Sequence, residues 1–389
     1  MNFTMYVIGA ALALGLYSYV LYPAIVWVWA RILPHRGGAV NRESDWPTIS
    51  ITVPVYNEAG QIRDLLESLL RLDYPVEKRQ IVIVSDASDD GTDEIVKEYA
   101  SAGIELARQT ERRGKTAAEN AARSLLRGEI VINTDASIRI APDAIKPLVA
   151  RFRDPTVGVA SGRDISVAKM GDTNAGEAGY VGYEMWVREQ ETGVYGIVGA
   201  SGCFYAIRPH LHRHVLPDAL SRDFASSLVA RLNGYRAVSV NEAVCYVPRT
   251  GSLQREYRRK VRTMTRGMET LAYEKALLNP FRYGAFSWML FSHKICRWLT
   301  PWALFACLVA MLLTPTHPVS IVGLAGAAIL GVLGFIGWRW PSDRKAPRIF
   351  SVPAFLFAGN IAVLHASIQA MRGELNPVWE PTRREAVVR

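Results

Sequence analysis

The sequence predicts an α/β domain built on a mostly parallel sheet, flanked by transmembrane segments. Three observations predict it. An apolar run at 51–55 is followed by a helical pattern with Ile62, Leu65, Leu66, Leu69 and Leu70 on one face. A second β-branched run at 81–84 then completes a strand–helix–strand unit. Alternating strand and helix signals continue from about 48 to about 280, as in a parallel α/β sandwich. Half of the 389 residues are hydrophobic, and they concentrate at the two ends of the chain, whose formal charge is +9.

Residues 5–30 carry no charge and are long enough to cross roughly 30 Å of hydrocarbon. No basic region precedes this run and no small-residue cleavage site follows it. A retained anchor over 1–31 is therefore expected in preference to a cleaved signal peptide. Arg31, Arg36 and Arg42 come next, which places the following domain in the cytoplasm by the positive-inside rule. After a polar linker, strands are expected at 51–55, 81–84, 104–107, 129–133, 157–161, 203–207 and 237–240. Helices are expected at 93–101, 116–126 and 223–233. Cys203, Cys245, Cys296 and Cys307 lack metal-type spacing and read as packed, reduced thiols of a cytosolic domain.

Beyond 280, the segment 281–298 mixes Trp288, Phe291 and Trp298 with His293, Lys294 and Arg297, the pattern of an interfacial helix lying on lipid. Greasy runs at 300–314, 319–338 and 350–371 follow, so 299–371 is expected to hold transmembrane segments and 372–389 a basic tail. Arg339, Arg344, Lys345 and Arg348 mark a cytoplasmic loop. A third full span would put the arginine-bearing tail outside. The other reading is a last segment that is re-entrant or broken near Pro353 and Gly359-Asn360.

Seven motifs stand in order along the middle of the chain. They are Val53-Pro54-Val55-Tyr56-Asn57-Glu58, Val84-Ser85-Asp86-Ala87-Ser88-Asp89-Asp90-Gly91-Thr92, Arg113-Gly114-Lys115-Thr116-Ala117-Ala118 and Asn133-Thr134-Asp135-Ala136-Ser137. After them come Gly199-Ala200-Ser201-Gly202-Cys203-Phe204-Tyr205-Ala206, Ser221-Arg222-Asp223-Phe224 and Arg258-Arg259-Lys260-Val261-Arg262. Together they resemble the membrane-bound family-2 glycosyltransferases, a superfamily that includes exopolysaccharide, chitin and hyaluronan synthases and has the GT-A nucleotide-sugar fold. The resemblance covers the whole middle domain. It implies an inverting, metal-dependent enzyme of a multi-pass cytoplasmic (inner) membrane protein. Such an enzyme moves a sugar from a UDP-sugar to a polysaccharide or lipid-linked acceptor at the cytoplasmic face and forms a β-glycosidic bond.

Each motif also has its own chemistry. The polar clusters after the first two strands fall where ligands of open α/β sheets bind. Asp86 suits hydrogen bonds from a uracil or ribose, or the cap of the next helix. Pro54, Tyr56, Asn57 and Glu58 frame the same place. Lys115 follows a glycine and starts a helix, a placement suited to an anion. Asp135 ends an apolar strand, where a carboxylate can hold Mg²⁺ or Mn²⁺ against two phosphates. The family's second aspartate is Ser137 here, so a hydroxyl or water completes the metal site. Gly199 and Gly202, around Ser201, suit a backbone that approaches a sugar closely. Tyr183, Glu184, Trp186, Gln190 and Glu191 suit a carbohydrate acceptor, although Trp186 fits core packing equally well.

Asp223 is the candidate general base, with helix capping as its alternative role. The family's preceding acid is replaced by Arg222, which would keep Asp223 ionised and weaken it as a base unless it points away. Arg259, Arg262 and Arg266 share one side of a helix. They can neutralise a diphosphate or lie against anionic membrane lipids. The Gln-Arg-x-Arg-Trp signature of processive synthases is missing, since Arg259-Lys260-Val261-Arg262-Thr263 stands in its place. That favours transfer of one or a few sugars.

Other classes fare worse. No G-x-G-x-x-G turn follows the first strand, and Gly114-Lys115-Thr116 lacks the earlier glycine and leading strand of a Walker loop. No nucleic-acid partner is expected. The runner-up is a non-catalytic membrane protein that binds a nucleotide sugar or polymer in polysaccharide secretion. Secretion or polymer-modifying partners fit either reading.

Overall fold

The computed structural model describes residues 3–33, 45–167, 175–248, 253–341 and 346–374. The middle of the chain forms an eight-stranded sheet in the order β3-β2-β1-β4-β7-β6-β8-β5. Its strands are β1 (Ile49–Val55), β2 (Arg79–Ser85), β3 (Ile104–Arg108), β4 (Ile130–Thr134), β5 (Arg139–Ile140), β6 (Val157–Val167), β7 (Phe204–Ile207) and β8 (Arg236–Pro248). β1 pairs in parallel with both β2 and β4, and β2 with β3. β7 runs antiparallel between β4 and β6, so the sheet is mixed rather than wholly parallel.

Every residue of β1 is buried. That follows from a central parallel strand covered by helices on both faces. The polar residues tolerated there are paired, as Ser50 Oγ donates to Gln80 Oε1 at 2.6 Å. Helix α2 (Ile62–Leu70) buries Ile62, Leu65, Leu66 and Leu69 against the sheet. Further helices are α3 (Thr92–Glu98), α4 (Lys115–Ala122), α5 (Ile145–Ala150), α6 (Ala175–Val194) and α7 (Arg222–Leu232). α4 is shorter than the expected helix. The 20-residue α6 is not among the expected helices, and its Glu184 and Glu191 bind His293 and Arg297 rather than solvent.

Four helices among the described residues are long and apolar enough to cross a membrane: Phe3–Ile32, Ala285–Leu313, Pro318–Trp338 and Arg348–Arg372. We call them α1, α9, α10 and α11. α8 (Leu253–Tyr273) precedes α9 and packs on α11 through Val261, Ala362 and Ala366.

Two expectations are corrected here. The interfacial helix over 281–298 is not separate. Residues from Ala285 to Leu313 run through a π-turn at Phe291–Ile295 as one continuous helix long and apolar enough to cross a membrane. Its polar side is buried: His293 and Arg297 are 2% and 6% exposed and bind acids of α6. Buried ion pairs on that side replace the headgroup contacts that the pattern had implied. The last segment is also unbroken. Pro353 lies inside α11 and forgoes one helical hydrogen bond without ending the helix, and Asn360 bonds back to Leu356 O at 2.8 Å. The basic tail beyond Glu374, with Arg36, Arg42, Arg344 and Lys345, lies outside the described residues.

Candidate active site

The loops after β1 and β2 lock together first. Asn57 and Ala87 both adopt left-handed backbone conformations, with φ of 51° and 59°. Asn57 Nδ2 donates to Asp89 Oδ1 at 2.7 Å, and the Asp89 amide donates back to Asn57 Oδ1 at 2.9 Å. Asp86 is buried. Its carboxylate accepts from the Arg113 amide at 2.8 Å, the Gly114 amide at 2.7 Å and Gln109 Nε2 at 2.9 Å. It thereby fixes the loop that delivers Lys115 to the start of α4. Pro54 lies within β1, opposite Val84. The Tyr56 ring carries the Arg112 guanidinium at 3.8 Å. Pro54, Tyr56, Asn57 and Asp86 therefore stand beside the central cavity, while Glu58 reaches its wall.

The central cavity, about 390 Å³, gathers Glu58, Lys115, Asp135, Ser137, Gly199, Ser201, Gly202, Arg222, Asp223, Arg259 and Arg262 from six separate stretches of chain. Lys115 Nζ sits 2.5 Å from Asp135 Oδ1 and donates to Gly202 O at 3.0 Å. Burial alone would lower the Lys115 pKa, but Asp135, Glu119 and Asp223 surround it and raise it above its ordinary value. Ser201 Oγ donates to Asp164 at 2.7 and 2.6 Å, and the Ser201 amide to Ser161 Oγ at 2.8 Å. Burial raises the Asp164 pKa against the opposing effects of Arg188 and Ser201.

The glycines have a packing role within the chain. A methyl group on Gly202 would collide with the Asp223 carboxylate, and one on Gly199 would lie 2.9 Å from the Phe224 ring. Both glycines line the cavity and also allow the close approach of α7. Ser221 Oγ donates to Asp223, so the carboxylate is aimed back over Gly202.

Arg222 points away from Asp223. Its guanidinium donates to His212 O at 3.1 Å and to Asn120 Oδ1, and its Nε lies 3.6 Å from Glu119 Oε2. Glu119 is fully buried. Burial raises its pKa, against Lys115 and Arg222, which lower it. Sequence reasoning missed Glu119. The spacing of Lys115 and Glu119, four apart on one helix, is the signal that could have found it. Asp164 and Arg188 were missed too, and neither sits in a recognisable pattern.

Arg259 is held by Glu256 at 2.8 and 2.7 Å while still lining the cavity with Arg262. Arg266 is spent on structure: it donates to Ala219 O at 3.0 Å and to Thr116 Oγ1 at 2.9 Å. Glu184 and Glu191 are engaged by Arg297 and His293 and so do not present free acids to a sugar. Trp186 is 39% exposed.

The donor set fits a divalent cation bound through one protein carboxylate. Asp135 and Ser137 face the same cavity, where Lys115 holds one Asp135 oxygen, Oδ1, at 2.5 Å. Hard cations such as Mg²⁺ often take one or two carboxylates, with phosphate oxygens and water completing the shell. Among the described residues no cluster of three His, Cys, Asp or Glu side chains forms a self-sufficient metal cage.

Comparison with known proteins adds to this geometry. Residues 50–215 match the family described as Glycosyl transferase family 2. The chain is 29% identical over 194 residues to a beta-monoglucosyldiacylglycerol synthase of Trichormus variabilis, covering 49% of this chain and 41% of that protein. It is 31% identical over 175 residues to an N-acetylglucosaminyltransferase of Rhizobium meliloti, covering 41% and 39%. The chain thus spans about two fifths of the length of these relatives. The structure resembles the mannosyltransferase PcManGT from Pyrobaculum calidifontis, solved with GDP-Man and Mn²⁺. The TM-score is 0.73 at 22% identity, over 95% of this chain and 99% of that one, a likeness of fold.

Proposed function

The chain carries a family-2 glycosyltransferase domain of GT-A fold, and from that premise we propose an inverting transfer from a UDP-sugar to a polysaccharide or lipid-linked acceptor at the cytoplasmic membrane face. The observation that carries this reading is one cavity in which Lys115, paired with Asp135, and the Asp223 carboxylate converge on Gly202. As an enzyme, the chain departs from the non-catalytic alternative.

In this reading Lys115, Arg259 and Arg262 bind the diphosphate of the donor. Asp135, with Ser137, would hold a divalent cation, which when bound supplies charge that stabilises the departing nucleoside diphosphate. Asp86 keeps the loop bearing Lys115 in place, and Tyr56, Asn57 and Glu58 border the nucleoside end. Asp223 accepts the proton of an acceptor hydroxyl as that oxygen attacks the anomeric carbon. The carbon–oxygen bond to the diphosphate breaks on the far side, so an α-linked donor yields a β-glycoside. With Arg222 committed to Glu119, no cation of α7 neutralises the base.

Both lipid and sugar acceptors are in keeping with the relatives' names, and four apolar helices keep the cavity beside the membrane. The test is nucleotide release by detergent-purified protein against panels of UDP- and GDP-sugars, with Mn²⁺, Mg²⁺ or chelator. Metal-dependent release from a UDP-sugar supports the proposal. Release from a GDP-sugar alone moves the donor to the class bound by the Pyrobaculum neighbour. Absence of nucleotide binding from both panels overturns the donor site.

A further inference from the structure

The cavity does not end at Asp223. It continues toward the membrane helices, where Tyr19 of α1, Tyr180 of α6, and Lys294 and Trp298 of α9 line it. Two cations meet on this stretch. Lys294 Cε would lie 3.7 Å from a methyl group on Gly199, and its Nζ is 5.4 Å from the Phe224 ring centroid. Arg188 reaches the neighbouring residue, with Nη2 3.5 Å from Ala200 O, and its Nη1 is buried without a hydrogen-bond partner. Lys294 has no hydrogen bond or ion pair among the described residues. The two are close enough to repel each other.

The acids nearby are already used. Glu184 is bound by Arg297 and by His293 at 3.1 Å. Glu191 is bound by His293 at 2.6 Å and by Tyr22 Oη at 2.5 Å. Asp164 takes Ser201 and the Cys245 thiol at 3.3 Å. Glu184 and Glu191 attract Lys294, and Asp164 attracts Arg188, yet among the described residues none of these acids bonds either cation directly, so Arg188 Nη1 and the Lys294 ammonium keep donors for an anion. The donor diphosphate has its own cations at Lys115, Arg259 and Arg262. The Gly199–Ala200 step is also three residues from Gly202, against which Asp223 packs.

We propose that Lys294 and Arg188 bind a phosphate carried by the acceptor, which is an anionic lipid whose tail leaves between α1, α6 and α9 past Tyr19, Tyr180 and Trp298. The phosphate then anchors the lipid so that a hydroxyl beyond it reaches Asp223. This rests on the transferase reading above, because it takes Asp223 as the point where the acceptor reacts.

The test uses the full-length protein in neutral phosphatidylcholine nanodiscs. Binding of monododecyl phosphate, dodecanol and inorganic phosphate is compared, with UDP and GDP binding measured alongside. The parent is expected to bind the alkyl phosphate at least about tenfold more tightly than the alcohol or inorganic phosphate. Lys294→Met and Arg188→Met each lose about tenfold in that affinity, as expected for removing a charged hydrogen bond. Lys294→Arg retains most of it, and nucleotide binding stays unchanged as the control for folding. Equal binding of alkyl phosphate and alcohol overturns the proposal, as does parental affinity in both methionine variants. Equal binding of inorganic phosphate removes the lipid from it. Loss of nucleotide binding in the parent, with alkyl phosphate still bound, strikes the transferase reading and leaves the anion site standing.

Discussion

Asp223 owes its position to two small groups, the missing side chain at Gly202 and the hydroxyl of Ser221. Asp223→Asn keeps the shape and removes the proton acceptor, so turnover should fall by roughly 10²-fold or more while nucleotide binding persists. Measured transfer rates and nucleotide affinities check this, and undiminished turnover would remove Asp223 from its role. Gly202→Ala should lower turnover as well, by pushing the carboxylate off its seat. His212 offers a test by pH. Burial and then Arg222 hold its pKa well below the ordinary value of about 6.5, and its Nε2 faces Asn133 Oδ1 at 3.1 Å. The unfolded chain binds a proton that the folded one refuses. The stability contributed by neutral His212 is therefore complete above about pH 6.5 and is lost as pH falls toward its lower folded value. Denaturant melts of His212→Gln across pH 5 to 7.5 should show a flatter profile than the parent.

At the scale of elements, the joint between α4 and α7 is the telling one. Arg222 of α7 lies across α4 and meets Glu119 and Asn120, with both partners of the Arg222–Glu119 contact buried. Removing Arg222 leaves Glu119 buried with only Lys115 to offset its charge. Arg222→Met should then cost about 3 kcal/mol of stability. The double change Glu119→Gln with Arg222→Met should recover part of that loss, because no uncompensated charge remains. Chemical denaturation of the single and double variants provides the cycle, and strictly additive losses would deny the coupling. The same joint explains the departure from the family's pattern at 222: the charge placed there belongs to the α4 contact and not to the base.

At the scale of the whole molecule, four apolar helices and one domain have to agree on a side of the membrane. With α1 preceding the domain and α9 to α11 following it, a cytoplasmic domain places the turn at His317 outside and the end of α10 near Pro341 inside. In a cysteine-free background, His317→Cys should react with a membrane-impermeant maleimide in intact cells and Pro341→Cys only after lysis. The reverse pattern would invert the topology. Docking of α9 on the domain combines apolar contacts of Phe286, Met289 and Leu290 with ion pairs of Arg297 and His293 to Glu184 and Glu191, and the segment that reads as interfacial by composition thereby joins one long apolar helix.

The sequence by itself determined the strand–helix alternation, the greasy ends and part of the set of residues that meet in the cavity. Those signals are local: periodicity, turn chemistry, and carboxylates or glycines at strand ends. Lys115, Asp135, Gly202 and Asp223 were all legible in this way, each beside a strand end or a helix start. Tertiary structure alone decided where the charges point. Arg222 could face Asp223 or α4, and Glu119 settled it from the neighbouring helix. Lys294 and Arg188 could be solvated surface cations, and the packing of α9 on α6 turned them into a cavity wall. The physical reason is that an ion pair or an unmatched charge is a property of two elements brought together, and no single stretch of sequence contains both.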